Sequence, residues 1–394
     1  MTDAPDLKGN WNYPTTIRFG AGRIAELPDA CRELGIARPL LVTDPGLAQL
    51  PMVQQAIAHN EQAGVPTGLF SDIKPNPVGK NVDDGVRAYR DGGHDGVIAY
   101  GGGSALDAGK AIAFMSGQTR PMWDFEDIGD NWKAASAGGI APIIGVPTTA
   151  GTGSEVGRAA VFLQETSATK KIIFHPKMLP SIVIEDPALT VGLPPHITAG
   201  TGMDALAHCL EAYCVPAYHP MAEGIAVEGM RLVKEWLPVA VRDGSNITAR
   251  AHMMVAASMG AAAFQKGLGA IHALSHPVGA LYDTHHGMTN AVVMPYVLAF
   301  NRDAIEGKLA RLAAWLQLPK PSFQAVMDWV LRLRDEIGIV HTLADLGVGA
   351  DRLEELAQMA ALDPTAGGNP VPVGVPELRS MFVSALEGRL AQRA

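Results

Sequence analysis

Four short apolar runs, at residues 39–43, 65–70, 95–100 and 141–146, alternate with stretches of helical periodicity at 47–63, 78–91 and 105–115. Strands joined through helices of this length predict βαβ units, because parallel pairing needs a long crossover and a hairpin turn has no room for a helix. Gly92-Gly93 and Gly101-Gly102-Gly103 punctuate the element ends, as C-caps and tight turns require. Shorter β-like runs at 160–163, 171–174 and 181–184 read as an extension of the same sheet. The texture changes near Asp186-Pro187, and Val191-Gly-Leu-Pro-Pro195 reads as a linker. Only helical patterns follow, at 197–213, 222–241, 249–264, 271–282, 308–316, 323–337, 350–362 and 375–390. The expected organisation is an α/β domain with a parallel sheet over 1–190 and an all-helical domain over 191–394.

A chain of 394 residues suits two domains. Charged residues make up 18%, against about 25% in an ordinary soluble domain, and apolar residues 47%. That balance implies a large core and a subunit interface, so we expect a homo-oligomer, specifically a dimer. A formal charge of -9 with no Lys/Arg cluster argues against a nucleic-acid or anionic-membrane surface. Cys31, Cys209 and Cys214 are too sparse for a disulfide framework and fit a reducing cytoplasm. Residues 1–6 have neither a basic nor an apolar stretch, so we expect no secretory signal there. The longest uncharged stretch, 251–265, is too short to span a bilayer and reads as a buried helix.

Val97-Ile-Ala-Tyr-Gly-Gly-Gly-Ser-Ala-Leu-Asp-Ala-Gly-Lys is a strand, a glycine turn and a helix start. Gly101, Gly102 and Gly103 remove side chains where a ligand's phosphates could approach the backbone, and Ser104 could cap the helix and donate to a phosphate oxygen. The helix N-terminus favours an anion. A tight βα turn alone would need no ligand, but two neighbours point to one. Asp44 follows a strand, where a carboxylate can bind a ribose hydroxyl and repel a 2′-phosphate; it would serve equally as a helix cap before Pro45. Pro147-Thr148-Thr149-Ala-Gly-Thr-Gly-Ser-Glu155 crowds hydroxyls and glycines at another strand end.

The second half concentrates metal-ligand chemistry. Asp204 and His208 lie four apart on one helix face, His272 and His276 repeat that spacing, and Thr284-His285-His286-Gly287 follows. One carboxylate and three imidazoles suit a borderline divalent ion such as iron(II) or zinc. A single histidine is more often a satisfied core or surface residue, but two i, i+4 pairs with a further site favour a metal. Spacing alone pairs His272 with His276 as ligands and does not separate His285 from His286. His219, His252 and Glu155 read as structural.

Together these residues resemble the iron-containing (group III) alcohol dehydrogenase family. Gly101-Gly-Gly-Ser-x-x-Asp107 is similar to its pyrophosphate motif, and Pro147-Thr-Thr-x-Gly-Thr-x-x-Glu155 to its second cofactor motif. Gly202-Met-Asp-Ala-Leu-x-His208 and His272-x-x-x-His276-Pro-x-Gly-Ala through His286-Gly resemble its metal-site motifs. The resemblance implies a dinucleotide-binding N-terminal domain, a helical C-terminal domain of the dehydroquinate synthase-like fold, and a cleft between them. It assigns the metal, iron(II) or zinc, to Asp204, His208, His272 and His286, and places His276 beside the nicotinamide, so the spacing-based pair gives way. Asn76, Gly102, Gly103, Ser104, Asp107, Thr148, Thr149 and Lys170 match NAD-contacting motif positions, and Asp44 a position linked to NAD preference. The implied activity is hydride transfer between a primary alcohol, or its aldehyde, and NAD. Relatives on the same fold, a glycerol-type polyol dehydrogenase or a maleylacetate-type reductase, are the alternatives, with a non-catalytic scaffold behind them.

Overall fold

Leu40 and Val42 point to one face of a strand and Leu41 to the other, and all three are buried. A strand apolar on both faces belongs inside a sheet that is covered on both sides. The computed structural model, which describes residues 15–167 and 169–390, has that sheet. Its strands are β1 (Thr16–Phe19), β2 (Pro39–Val42), β3 (Gly68–Phe70), β4 (Gly96–Gly101), β5 (Ile143–Pro147) and β8 (Ile182–Glu185). They are all parallel, in the order β1-β8-β5-β4-β2-β3. Strand periodicity sorts the core into two layers. Leu40, Val42, Val97, Ala99 and Ile143 pack with Val82 and Val86 of α4 (Gly79–Asp91) and Leu106, Ile112 and Phe114 of α5 (Gly103–Met115). Leu41, Ile98, Tyr100, Ile144 and Val146 pack with Leu27 and Cys31 of α1 (Leu27–Glu33) and Val53 and Ala56 of α3 (Pro51–Gln62).

The described chain divides into two compact units, one of residues 15–193 with Ser245–Met254, the other of residues 194–244 and 255–390. The helices after the first unit's sheet are α6 (Pro195–Cys214), α7 (Pro220–Arg242), α8 (Ile247–Ala263), α9 (Ala270–Tyr282), α10 (His286–Trp315), α11 (Phe323–Glu336), α12 (Leu353–Leu362) and α13 (Val375–Glu387). None of the helices in the described residues is long and apolar enough to cross a membrane. The N-terminal residues examined above for a secretory signal lie outside the described ones.

Several elements differ from the sequence expectation for definite reasons. Residues 47–63 are not one helix: Pro51 has no amide hydrogen to donate and opens a new helix, α3, after the short α2 (Pro45–Ala48). The run 65–70 pairs only at Gly68–Phe70, because the Val65 amide hydrogen bonds back to Asn60 at the end of α3. Of the expected β extension only β8 joins the main sheet. β6 (Ala159–Gln164) and β7 (Thr169–Phe174) form a separate antiparallel pair. The expected helix at 308–316 is only the end of α10, a helix of 30 residues. Its first turns are buried all round, from Thr289 to Leu298, so they carry no amphipathic period to read. The edge strand β1 is four residues long and went unanticipated.

Phe114 anchors the first of the two layers. It is fully buried, meets Phe125 edge-on at 4.9 Å between ring centroids, and stacks on His175 at 5.5 Å. Phe114→Ala is expected to cost about 3–5 kcal/mol, as truncation of a buried ring does. Urea unfolding of the two proteins side by side measures this; a loss under about 1 kcal/mol would show that the layer closes over the gap.

Candidate functional site

In the first unit the chain leaves β2 outward to β3, then crosses back to β4 on the opposite side of β2. Such a reversal opens a crevice at the carboxyl ends of β2 and β4, the place where open α/β sheets take ligands. Asp44 lies just past β2, Gly101 ends β4 with Gly102 and Gly103 after it, and Thr148 and Thr149 follow β5. Gly101 has φ +146°, a backbone that side chains disfavour, and a Cβ there would lie 2.7 Å from the Ala105 Cβ. Gly102 caps α5 with no side-chain bond to the first turn, which leaves the helix start to a ligand.

The polar residues of this crevice divide into two groups. The Thr148 amide donates to the Gly101 carbonyl at 3.0 Å, joining the two turns. A Cβ on Gly102 would lie 3.3 Å from the Thr149 side chain, and one on Gly103 only 2.7 Å from the Thr152 methyl. The missing Cβ atoms of these glycines therefore let the neighbouring loop pack close against the turn. Ser104 is not the helix cap: it lies inside α5, and its hydroxyl donates to the Pro75 carbonyl, next to Asn76. Asp107 ties the turn together. Its Oδ1 accepts from the Ser154 hydroxyl at 2.5 Å, its Oδ2 accepts from the Val161 amide at 2.8 Å, and buried Lys110 stands 3.2 Å away. Asp44 is a helix cap, with Oδ1 accepting from the Gly46 and Leu47 amides at 2.9 Å each. Oδ2 takes no part in those bonds. Lys170 sits on β7 opposite Leu163.

In the second unit three helices bring their side chains to one point. Asp204 and His208 project from one face of α6, His272 from α9, and His286 from the first residue of α10. Asp204 Oδ1 lies 3.8 Å from His208 Nε2, 3.9 Å from His272 Nε2 and 3.5 Å from His286 Nε2. Donors bonded to one tetrahedral cation at about 2.0–2.2 Å stand about 3.3–3.6 Å apart, and the donor atoms of Asp204, His208 and His272 all lie within 4.8 Å of one another, so these three could hold a first-row divalent ion. Asp204, His208 and His272 are buried, whereas the His286 side chain is 28% exposed and marks the open side. His208 stacks on His272 at 4.8 Å. Gly287 permits the close approach of α10 to α6, since a Cβ there would meet the Gly200 carbonyl oxygen at 2.1 Å.

Three residues of this cluster went unread in the sequence. Asn290, one turn after His286, donates its amide to Asp204 Oδ1 at 2.8 Å, and that nitrogen lies 3.1 Å from His286 Nε2 and 3.3 Å from His272 Nε2. With one of its two N–H groups on Asp204, the amide can donate to one of these ring nitrogens, which would keep that Nε2 a lone-pair acceptor, the form that ligates a metal. Glu211 Oε2 bonds His272 Nδ1 at 2.5 Å. Burial pushes the His272 ring toward neutrality, but the carboxylates of Glu211, Asp204 and Asp363 outweigh it and raise its basicity. Asp363, from the loop after α12, bonds His276 Nδ1 at 2.7 Å. Glu211 continues the face of Asp204 and His208 at i+7, a spacing that could have found it; Asp363 has no such signal.

The structure also separates the pairs that spacing left together. His276 stacks on His286 at 5.5 Å, its Nδ1 engaged by Asp363; among the described residues the donor atoms that all lie within 4.8 Å of one another are those of Asp204, His208 and His272, a group that holds neither His276 nor His286. His285 caps α10, its Nδ1 accepting from the Met288 amide, while His286 faces Asp204. His219 likewise caps α7.

Comparison with known proteins agrees with this geometry. The family profile described as iron-containing alcohol dehydrogenase matches residues 14–187, and that of the C-terminal part of the Fe-containing alcohol dehydrogenase family matches 198–386. The chain is 38% identical to a 4-hydroxybutyrate dehydrogenase of Cupriavidus necator, over 95% of this chain and 99% of that one. It is similar to the crystal structure of a 1,3-propanediol oxidoreductase, with a TM-score of 0.91, 34% identity, and 96% and 100% of the two chains covered. It is also similar to a sulfoacetaldehyde reductase of Bifidobacterium kashiwanohense solved with NAD+, with a TM-score of 0.87, 30% identity and coverage of 96% and 99%.

The Asp363–His276 pair has a signature in stability. Burial works against the Asp363 charge, but the His276 charge and hydrogen bond, with the Thr365 hydroxyl and amide, hold its pKa down at about 2 from an ordinary 3.8. A value depressed on folding contributes stability above the unfolded pKa and loses it as the pH falls through the folded one. The contribution, about 2 kcal/mol at 1.36 kcal/mol per unit, is expected in full above about pH 4 and to vanish toward pH 2. Urea unfolding of wild type and Asp363→Asn from pH 2 to 5 checks this: the gap between them should widen as the pH rises, and a flat gap would refute it.

Proposed function

This chain belongs to the iron-containing alcohol dehydrogenase family and is an NAD-dependent oxidoreductase of alcohols, and we propose that it transfers a hydride reversibly between a primary alcohol and NAD at a site holding one divalent cation. The observation that carries this reading is the convergence of three imidazole Nε2 atoms on the buried Asp204 carboxylate. Asp204, His208, His272 and His286 would hold the cation, and the donor set suits iron(II) or zinc. The named substrates of the relatives, 4-hydroxybutyrate and 1,3-propanediol, are primary alcohols, which supports that class here.

When bound, the cation would supply a Lewis acid for the substrate oxygen, and the nicotinamide would supply the hydride acceptor or donor. The remaining work falls to this chain's own side chains. Asp363 accepts a hydrogen bond from His276 Nδ1–H, which would leave His276 Nε2 to receive the alcohol proton and pass it outward. The α5 N-terminus and the Gly101–Gly103 turn would receive the pyrophosphate of NAD, with Thr148, Thr149, Asn76 and Lys170 around it. Asp107 would act on NAD indirectly, by holding the loop of Ser154 against α5. Asp44 Oδ2 would bind the adenosine ribose and repel a 2′-phosphate. Three free and buried cysteines support a reducing cytoplasm, and the low charged fraction supports a dimer.

Two experiments test the reading. Chelation should abolish turnover, and iron(II) or zinc should restore it. His272→Ala should lose metal and activity together, whereas His276→Ala should keep its metal and turn over more slowly with an altered pH profile. Equal metal loss in both would return the ligand role to a His272/His276 pair. Separately, Asp44→Ser should improve use of NADP relative to NAD; an unmoved ratio would leave Asp44 only its capping role.

A further inference from the structure

Glu211 is a carboxylate with only 6% of its surface exposed, and it lies two turns along α6 from Asp204. Burying such a charge costs several kcal/mol unless donors meet both oxygens. Two donors meet them. Oε1 accepts from the Ile271 amide at 2.7 Å, in the first turn of the 13-residue helix α9, and Oε2 bonds His272 Nδ1 at 2.5 Å. The neighbouring Ala270 amide is taken by Asn369 Oδ1 at 3.2 Å, and Asn369 pairs reciprocally with Asn301 at 2.8 Å. A Cβ on Gly269 would lie 3.1 Å from both Glu211 Oε1 and Asn369 Oδ1, so the start of α9 is shaped around these two acceptors.

We propose that Glu211 is the positioning residue of the metal site: its carboxylate fixes His272 in the Nδ1–H tautomer and aims the Nε2 lone pair at the cation. The inference rests on the metal reading given above. Its chemistry is that of a carboxylate behind a ligating histidine, which sets ring orientation and raises donor strength. Both oxygens of Glu211 must accept, because the Ile271 amide and the His272 Nδ1–H are both donors. A glutamine of the same shape has one acceptor only. Placed at 211, it either abandons the helix start or turns its NH2 to His272, which moves the ring proton to Nε2 and removes the lone pair that ligates. The same carboxylate thus secures the backbone of α9 and the ligand on it.

Glu211→Gln is the test, read by zinc affinity in chelator competition and by the His272 tautomer from 15N-histidine spectra of the metal-free protein. Zinc affinity is expected to fall about 10–100-fold, with His272 shifted toward the Nε2–H form. Glu211→Asp keeps both acceptors on a shorter stem and is expected to bind zinc more weakly than wild type but to keep the Nδ1–H tautomer. It carries the test if the glutamine variant does not fold. Zinc affinity within twofold of wild type in the folded variants overturns the inference while leaving the metal site intact. Wild-type protein that binds no stoichiometric zinc or iron overturns both this inference and the reading beneath it.

Discussion

The constraint on which the helical unit depends is the burial of Asp204. An unpaired carboxylate at 2% exposure would be costly, and on α6 itself His208, one turn away, lies 3.8 Å from it. The partners come from α9 and α10, so both helices must approach α6 closely. Gly287 removes the side chain that would collide with the Gly200 carbonyl. Asn290 donates to the carboxylate from one turn further along α10. A divalent cation held among these donors would meet the same demand more strongly and would couple metal binding to the stability of the packing.

The nucleotide-binding unit solves a different problem. The groups proposed to receive phosphate are backbone amides at a helix start, which need a rigid turn more than they need side chains. Most of the side chains in its two motifs accordingly bond to protein. Asp107 holds Ser154 and Val161, Lys110 holds the carbonyls of Ser154 and Ala159, and Ser104 holds Pro75. Gly102 and Gly103 let Thr149 and Thr152 close against the turn. On the proposed reading, a motif that looks like a list of ligand contacts is in large part a brace that would keep the amides aimed.

Much of this was legible in the residues themselves. The parallel sheet followed from the alternation of apolar runs and helical periods, and the helix positions of the second unit from amphipathic patterning. The losses have physical causes. Buried helices such as the start of α10 carry no polar face, so periodicity fails where packing is greatest. The strands β6 and β7 resemble any other short apolar run until their pairing partners are known. At the site, i, i+4 spacing found Asp204 with His208 because both lie on one helix. Asp363 lies 87 residues from His276, and no local pattern encodes a contact at that separation.

His272 and His276 show where local information ends. They share a helix, a face and a residue type, and α9 presents both side chains toward the same cluster. What separates them is the carboxylate behind each ring. Glu211 reaches His272 from α6, the helix that also carries Asp204, so His272 Nε2 is aimed at the buried carboxylate. Asp363 reaches His276 from the loop after α12, and that ring stacks on the partly exposed His286. In the first arrangement the ring points into the bundle at Asp204; in the second it lies against His286 with Nδ1 engaged and Nε2 outside that hydrogen bond. Identical side chains one turn apart thus take different chemistry from the element that supplies the second carboxylate.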